Sequence, residues 1–130
     1  MLLVDTNVIG ELARPRPNPG VLSWAATVSS FALSAVSVEE IFYGLARRPK
    51  ARVLRWFEEL LESGCRVLAV TDEIARRSGQ LRGELASRGV ARTQADMLIA
   101  ATAQVHQLTL VTRNVRDFEG TSIGLLNPFS

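Results

Sequence analysis

Short apolar runs of strand type alternate along this chain with longer helix-type stretches, and no other feature narrows the possible folds as much. Strands linked by helices run parallel, and a parallel sheet buries its two faces under those crossover helices. Leu2–Val4, Phe31–Ala35, Arg66–Val70, Leu108–Val111 and the extended stretch Ser122–Leu126 supply the strands. The sequence therefore predicts an α/β fold: three α/β/α layers around a central parallel sheet of four to five strands. At 130 residues the chain reads as one domain spanning residues 1–130.

Between the strands, a short helix from about Asn7 to Ala13 is expected to stop at the stretch Arg14–Gly20, whose three prolines exclude a helix interior. Val21 to Val28 reads as a second helix. Ser37 followed by Glu40 has capping-box spacing and should open a third, running through Ile41, Phe42 and Leu45 and ending before Pro49. From Ala51 to Ser63, Val53, Trp56, Phe57, Leu60 and Leu61 recur at helical spacing, and Gly64 supplies the stop. Asp72–Arg88 and the nearly all-apolar Ala95–His106 complete the set. The aromatics Trp24, Phe42, Trp56 and Phe57 are expected in the core or at a subunit contact.

Composition excludes several chemistries. A lone Cys65 allows no internal disulfide, and with a lone His106 it cannot build a Cys/His zinc site or a histidine-pair ribonuclease mechanism. No glycine-rich phosphate loop with a following Lys-Ser or Lys-Thr is present, which argues against a nucleoside-triphosphatase. No apolar run reaches membrane-spanning length and an aspartate stands at position 5, so a soluble, unprocessed, cytoplasmic protein is expected. The net charge is +2, with Lys50 the only lysine among 15 basic residues. Two arginine-rich series, Arg47-Arg48-Lys50-Arg52-Arg55 and Arg76-Arg77-Arg82-Arg88-Arg92, either contact phosphates or form solvated faces.

Ligands of an open α/β sheet bind beyond the carboxyl ends of its strands. Asp5 follows the first strand, Glu40 the second, Asp96 opens the apolar helix, and Asp117 follows the strand ending near Thr112. Three of these also suit helix caps or turns: Glu40 with Ser37, Asp96 with Thr93, and Asp117 with Asn114. Asp5 fits that reading less well, because Thr6 and Asn7 can cap the next helix without it. Were the four to meet, their repulsion would raise some pKa values or call for a cation. A hard divalent ion, Mg²⁺ or Mn²⁺, suits an all-oxygen donor set.

Four blocks carry a resemblance: Leu3-Val4-Asp5-Thr6-Asn7-Val8, Leu33 to Glu40, Asp96 to Ala103, and Leu110 to Asn114 continuing through Asp117-Phe118. In this order they resemble the PIN-domain ribonucleases, most nearly the VapC/FitB-type toxins of bacterial toxin-antitoxin modules. The resemblance implies an endoribonuclease that hydrolyses RNA phosphodiester bonds with Mg²⁺ or Mn²⁺. It implies that Asp5 and Asp96 ligate the metal, that Glu40 rather than Glu39 is the third acid, and that Asp117 is the fourth. Thr6 and Thr112 are then hydrogen-bonding groups behind the ligands, and Asn114 also matches a polar position of the motif. A homodimer and a cognate antitoxin, joined in a higher assembly, are implied partners, with Phe42, Tyr43 or Trp56 in their contacts.

The alternative is a catalytically silent PIN-like module that binds RNA or a partner. A dehalogenase-like phosphohydrolase expects an aspartate where Asn7 stands. A receiver-like domain expects a lysine on a late strand, where Lys50 does not fall.

Overall fold

Within each central strand, adjacent residues send their side chains to opposite faces of the sheet, as the two-residue period requires. In a computed structural model describing residues 1–130, Leu3, Ala32, Leu68 and Leu110 enter one apolar cluster. Their neighbours Val4, Leu33 and Val111 enter the other. The strands are β1 (Leu2–Val4), β2 (Ala32–Ser34), β3 (Arg66–Leu68), β4 (Thr109–Val111) and β5 (Leu125–Leu126). They form a single parallel sheet in the order β3-β2-β1-β4-β5.

The helices are α1 (Thr6–Leu12), α2 (Pro19–Ala26), α3 (Ala35–Arg47), α4 (Ala51–Glu59), α5 (Asp72–Ser87) and α6 (Gln94–His106). Ile74, Leu81 and Leu85 of α5 and Met97, Ile99 and Ala100 of α6 cover the first face of the sheet. Val8 and Ile9 of α1, Val21 of α2 and Phe57 of α4 cover the second. The three predicted layers are thus present, with all five candidate strands formed.

Several boundaries differ from expectation for identifiable reasons. Pro19 is the first residue of α2, where its missing N–H costs nothing, and Asn18 caps it by accepting from Gly20 N and Val21 N. The helix from Ala51 closes in a wider π-type turn over Leu60–Gly64. The third strand is shorter than predicted, ending at Leu68 before half-exposed Val70.

The start of α3 matters most for the site. Ser34, the last residue of β2, caps the helix by accepting from Val36 N at 3.0 Å. The helix therefore begins ahead of Ser37, which lies inside it and is fully buried. The Ser37–Glu40 capping box does not form, and both side chains are free for another role. None of the helices is long and apolar enough to cross a membrane.

Candidate functional site

The sheet order reverses direction between β1 and β4, so the connections leaving these adjacent strands diverge and leave a crevice at their carboxyl ends. Asp5 leaves β1 and Thr112 leaves β4 at this point, held in register by a bond from Asp5 N to Val111 O at 2.9 Å. The Thr112 hydroxyl donates to Asp5 Oδ2 at 2.8 Å, and Asn7 Nδ2 reaches the same oxygen at 3.3 Å. Asp5 Oδ1 accepts from Thr6 N at 2.8 Å. Contrary to expectation, then, Asp5 does cap α1, because Thr6 has turned its own side chain elsewhere.

That side chain meets α3. Thr6 Oγ1 lies 2.7 Å from Glu40 Oε1 and 2.8 Å from Ser37 Oγ. Its single proton goes to the carboxylate, which can only accept, leaving Ser37 to donate to Thr6. Glu40 is thereby oriented from the start of α1, while Glu39 is exposed and makes no such bond, though it lines the same groove between α3 and α6.

Asp96 occupies the first turn of α6, where Thr93 caps the helix by accepting from Asp96 N at 3.1 Å. Its carboxylate also takes a hydrogen bond from the Thr93 side chain. The capping reading is therefore correct for Asp96, and it positions the acid without neutralising it. Asp117 is exposed on a short 3-10 turn, Val115–Phe118, and its N–H donates to Asn114 O at 3.0 Å. Asn114 contributes through its backbone, donating to Thr112 Oγ1 at 3.0 Å, rather than through its amide side chain.

Electrostatics join the four acids. Burial, and then the charges of Asp96 and Glu40, hold the Asp5 carboxyl above its ordinary value, against the lowering hydrogen bonds from Thr112 and Thr6. Asp96 is likewise pushed up, first by burial and then by Asp117 and Glu40, with the Thr93 bond and the Arg92 charge opposing. None of the four has an ion-pair partner: the salt bridges of the chain are Arg14–Glu11 and Arg76–Asp72. No three histidine, cysteine, aspartate or glutamate side chains converge closely enough, as they stand, to hold a metal ion. The donors are all carboxylate and hydroxyl oxygens, the chemistry that suits Mg²⁺ or Mn²⁺, which keep several waters and need one or two protein carboxylates.

Three contributors escaped the sequence reading. Ser37 was masked by its resemblance to a cap. Asn7 bridges the two strand ends, with its Oδ1 accepting from Arg113 N at 3.2 Å and its Nδ2 3.4 Å from Thr112 Oγ1. Arg92 donates to the backbone carbonyls of Arg116 and Glu119, fastening the Asp117 turn beside Asp96. Only the position of Asn7, two residues after a strand-ending acid, offered a signal.

Residues 2–122 match the family model described as PIN domain. VapC ribonuclease Y4jK of Sinorhizobium fredii is 33% identical, over 99% of this chain and 98% of its own. Toxin FitB of Neisseria gonorrhoeae is also 33% identical, over 99% of each chain. The crystal structure of FitAcB from that organism aligns with a TM-score of 0.85, covering 98% of both chains. A toxin-antitoxin complex from Klebsiella pneumoniae aligns with a TM-score of 0.78 at 29% identity, over 100% of this chain and 99% of that one. With a family-model match over nearly the whole chain and relatives at this degree of likeness, the chain belongs to the PIN-domain family and to its VapC/FitB-type branch.

Proposed function

We propose that this protein is a metal-dependent endoribonuclease and the toxin of a type II toxin-antitoxin module. The observation that carries the reading is the gathering of Asp5, Glu40, Asp96 and Asp117 at one sheet edge, coupled by charge and without an ion-pair partner. Two partly buried acids held above their ordinary pKa, first by burial and then by neighbouring carboxylates, form a site that a cation relieves. The likeness to VapC ribonuclease Y4jK and Toxin FitB, by their names a nuclease and a toxin, supports nuclease activity and the toxin role.

Asp5 and Asp96 would hold Mg²⁺ or Mn²⁺, with Glu40 and Asp117 beside them. Such an ion, when bound, lowers the pKa of a ligated water and offsets negative charge on the phosphate. Glu40, fixed by Thr6, would accept the proton of the attacking water while its oxygen bonds to phosphorus and the bond to the leaving ribose oxygen breaks. Thr112 and the Thr6 N–H would keep Asp5 ionised and aimed.

The partners we propose are RNA, a cognate antitoxin and a second copy of the chain. Tyr43, 63% exposed, lines a groove of about 630 Å³ between α3 and α6, and Phe42, 38% exposed, adds apolar contact area where it packs against Phe57. A second reading, a silent module that binds RNA or a partner, draws on the absence of three converging ligands.

One assay separates the two. Wild type, Asp5→Asn and Asp96→Asn are incubated with assorted RNAs in Mg²⁺ or Mn²⁺, and again in chelator. Cleavage by wild type alone, abolished by chelator, is the expected result. No cleavage by wild type favours the silent module, and equal or chelator-insensitive cleavage by all three overturns the metal-site assignment.

A further inference from the structure

Besides the groove between α3 and α6, a second groove reaches Glu40. It holds about 640 Å³ and runs between the end of α1, the following loop, α3 and the start of α4. Arg14, Arg48, Lys50 and Arg52 all line it, and Glu40 is the only carboxylate among its lining residues. Arg14 comes from a different part of the chain, so folding gathers cations that the sequence shows only as separate segments.

The four cations are not equivalent. Arg14 pairs with Glu11 at 3.2 Å, and Arg52 donates to the Ala13 carbonyl at 2.7 Å, so both are fixed in the wall. Arg48 and Lys50 are exposed and enter no ion pair. Ile41, Leu45 and Val53 form apolar wall between them, and no aromatic ring lines the groove.

A polyanion approaching four clustered carboxylates is repelled, and the attraction that brings it in must come from cations close by. Clefts lined by one sign of charge with low-dielectric walls focus such a field. A groove of cations without aromatic platforms suits phosphates rather than bases, since stacking recognition needs aromatic rings. We propose that this groove carries the phosphodiester backbone of single-stranded RNA to Glu40, with Arg48 and Lys50 making mobile phosphate contacts. An acidic peptide would meet the same cations, but the opening of the groove onto Glu40 favours the substrate of the acidic site. The inference rests on the nuclease reading above.

Its test is binding without cleavage. The anisotropy of a labelled single-stranded RNA is followed in chelator across a series of salt concentrations, for wild type, R48Q/K50Q and the α5 control R77Q/R88Q, whose exposed arginines lie in α5 and just past its end. Each phosphate contact on a single strand contributes a slope of about −0.7 in log affinity against log salt, so losing two lowers the slope by about 1.4. Affinity at low salt should fall roughly tenfold in R48Q/K50Q and stay unchanged in the control. Thermal unfolding checks that the variants remain folded.

An unchanged slope and affinity in R48Q/K50Q overturns the proposal, as does a loss in the α5 control instead. Loss of binding to a glutamate-rich peptide with RNA binding intact assigns the groove to a protein segment and also overturns it. Groove-dependent binding by a wild type that cleaves nothing in Mg²⁺ sinks the nuclease reading alone. Cleavage with no dependence on Arg48 or Lys50 sinks this one alone.

Discussion

The Thr112 hydroxyl donates to Oδ2 of Asp5 at 2.8 Å, joining two residues 107 positions apart. The contact exists because β1 and β4 lie side by side in the sheet and both end there. It ties the most buried acid of the site to the loop that leads to Asp117. The same hydroxyl oxygen accepts from Asn114 N, so one side chain serves both.

Replacing Thr112 by valine should cost about 1–3 kcal/mol, since it leaves part of a buried carboxylate and a backbone N–H without partners. Thr112→Ser, which keeps the hydroxyl, should recover most of that. Denaturant unfolding of the three proteins checks the order, and RNA cleavage should follow it.

The acids of the site should destabilise the metal-free fold at neutral pH. Burial first, then neighbouring charge, raises the folded pKa of Asp5 and of Asp96 above the unfolded value of 3.8. A carboxyl so shifted stabilises the fold fully below its unfolded pKa and loses that contribution as pH rises through its folded pKa. In chelator near pH 7, Asp5→Asn should therefore unfold at a Tm about 3–6 °C above wild type, for a relief on the order of 1 kcal/mol. The gap should close as pH falls to about 4, and Asp96→Asn should move in the same direction. Added Mg²⁺ should raise the Tm of wild type but not of Asp5→Asn.

Glu40 and Glu39 should separate cleanly in kinetics. Glu40 is held by Thr6, whereas Glu39 is exposed. Glu40→Gln should lower RNA cleavage by about 10²-fold or more, as expected for the loss of a group that takes a proton in the transition state. Glu39→Gln should stay within about twofold of wild type. Ser37→Ala should lower the rate less than Glu40→Gln, because it loosens Glu40 without removing it.

Two glycine substitutions should have opposite signs. A Cβ on Gly20 would lie 2.5 Å from Pro128 O and 2.7 Å from Ser130 N, both backbone atoms, so Gly20→Ala must displace the 128–130 segment. That should cost about 1–3 kcal/mol. Gly83 lies inside α5 with nothing within 4 Å of its added Cβ, and Gly83→Ala should stabilise by about 0.5–1 kcal/mol. Paired thermal melts measure both.

Much of the fold was legible because its signals are local. The unbroken apolar pairs Leu3-Val4 and Leu110-Val111 call for a sheet buried on both faces, and the recurrence of Val53, Trp56, Phe57 and Leu60 calls for a helix. The four acids could be picked out for the same reason, each standing just past a strand or at a helix start. Local signals also misled: Ser37 and Glu40 have the spacing of a cap, yet Ser34 had already begun the helix.

From the sequence alone came the layers, the strand positions and the short list of carboxylates, since periodicity and turn chemistry act over a few residues. Only the tertiary structure decided that Thr6 serves Glu40 while Asp5 caps α1, that Arg92 fastens the Asp117 turn, and that Arg14 joins Arg48 and Lys50 in one groove. Those relationships depend on which strands become neighbours. That choice is made by the packing of two apolar clusters drawn from the whole chain, not by any one segment.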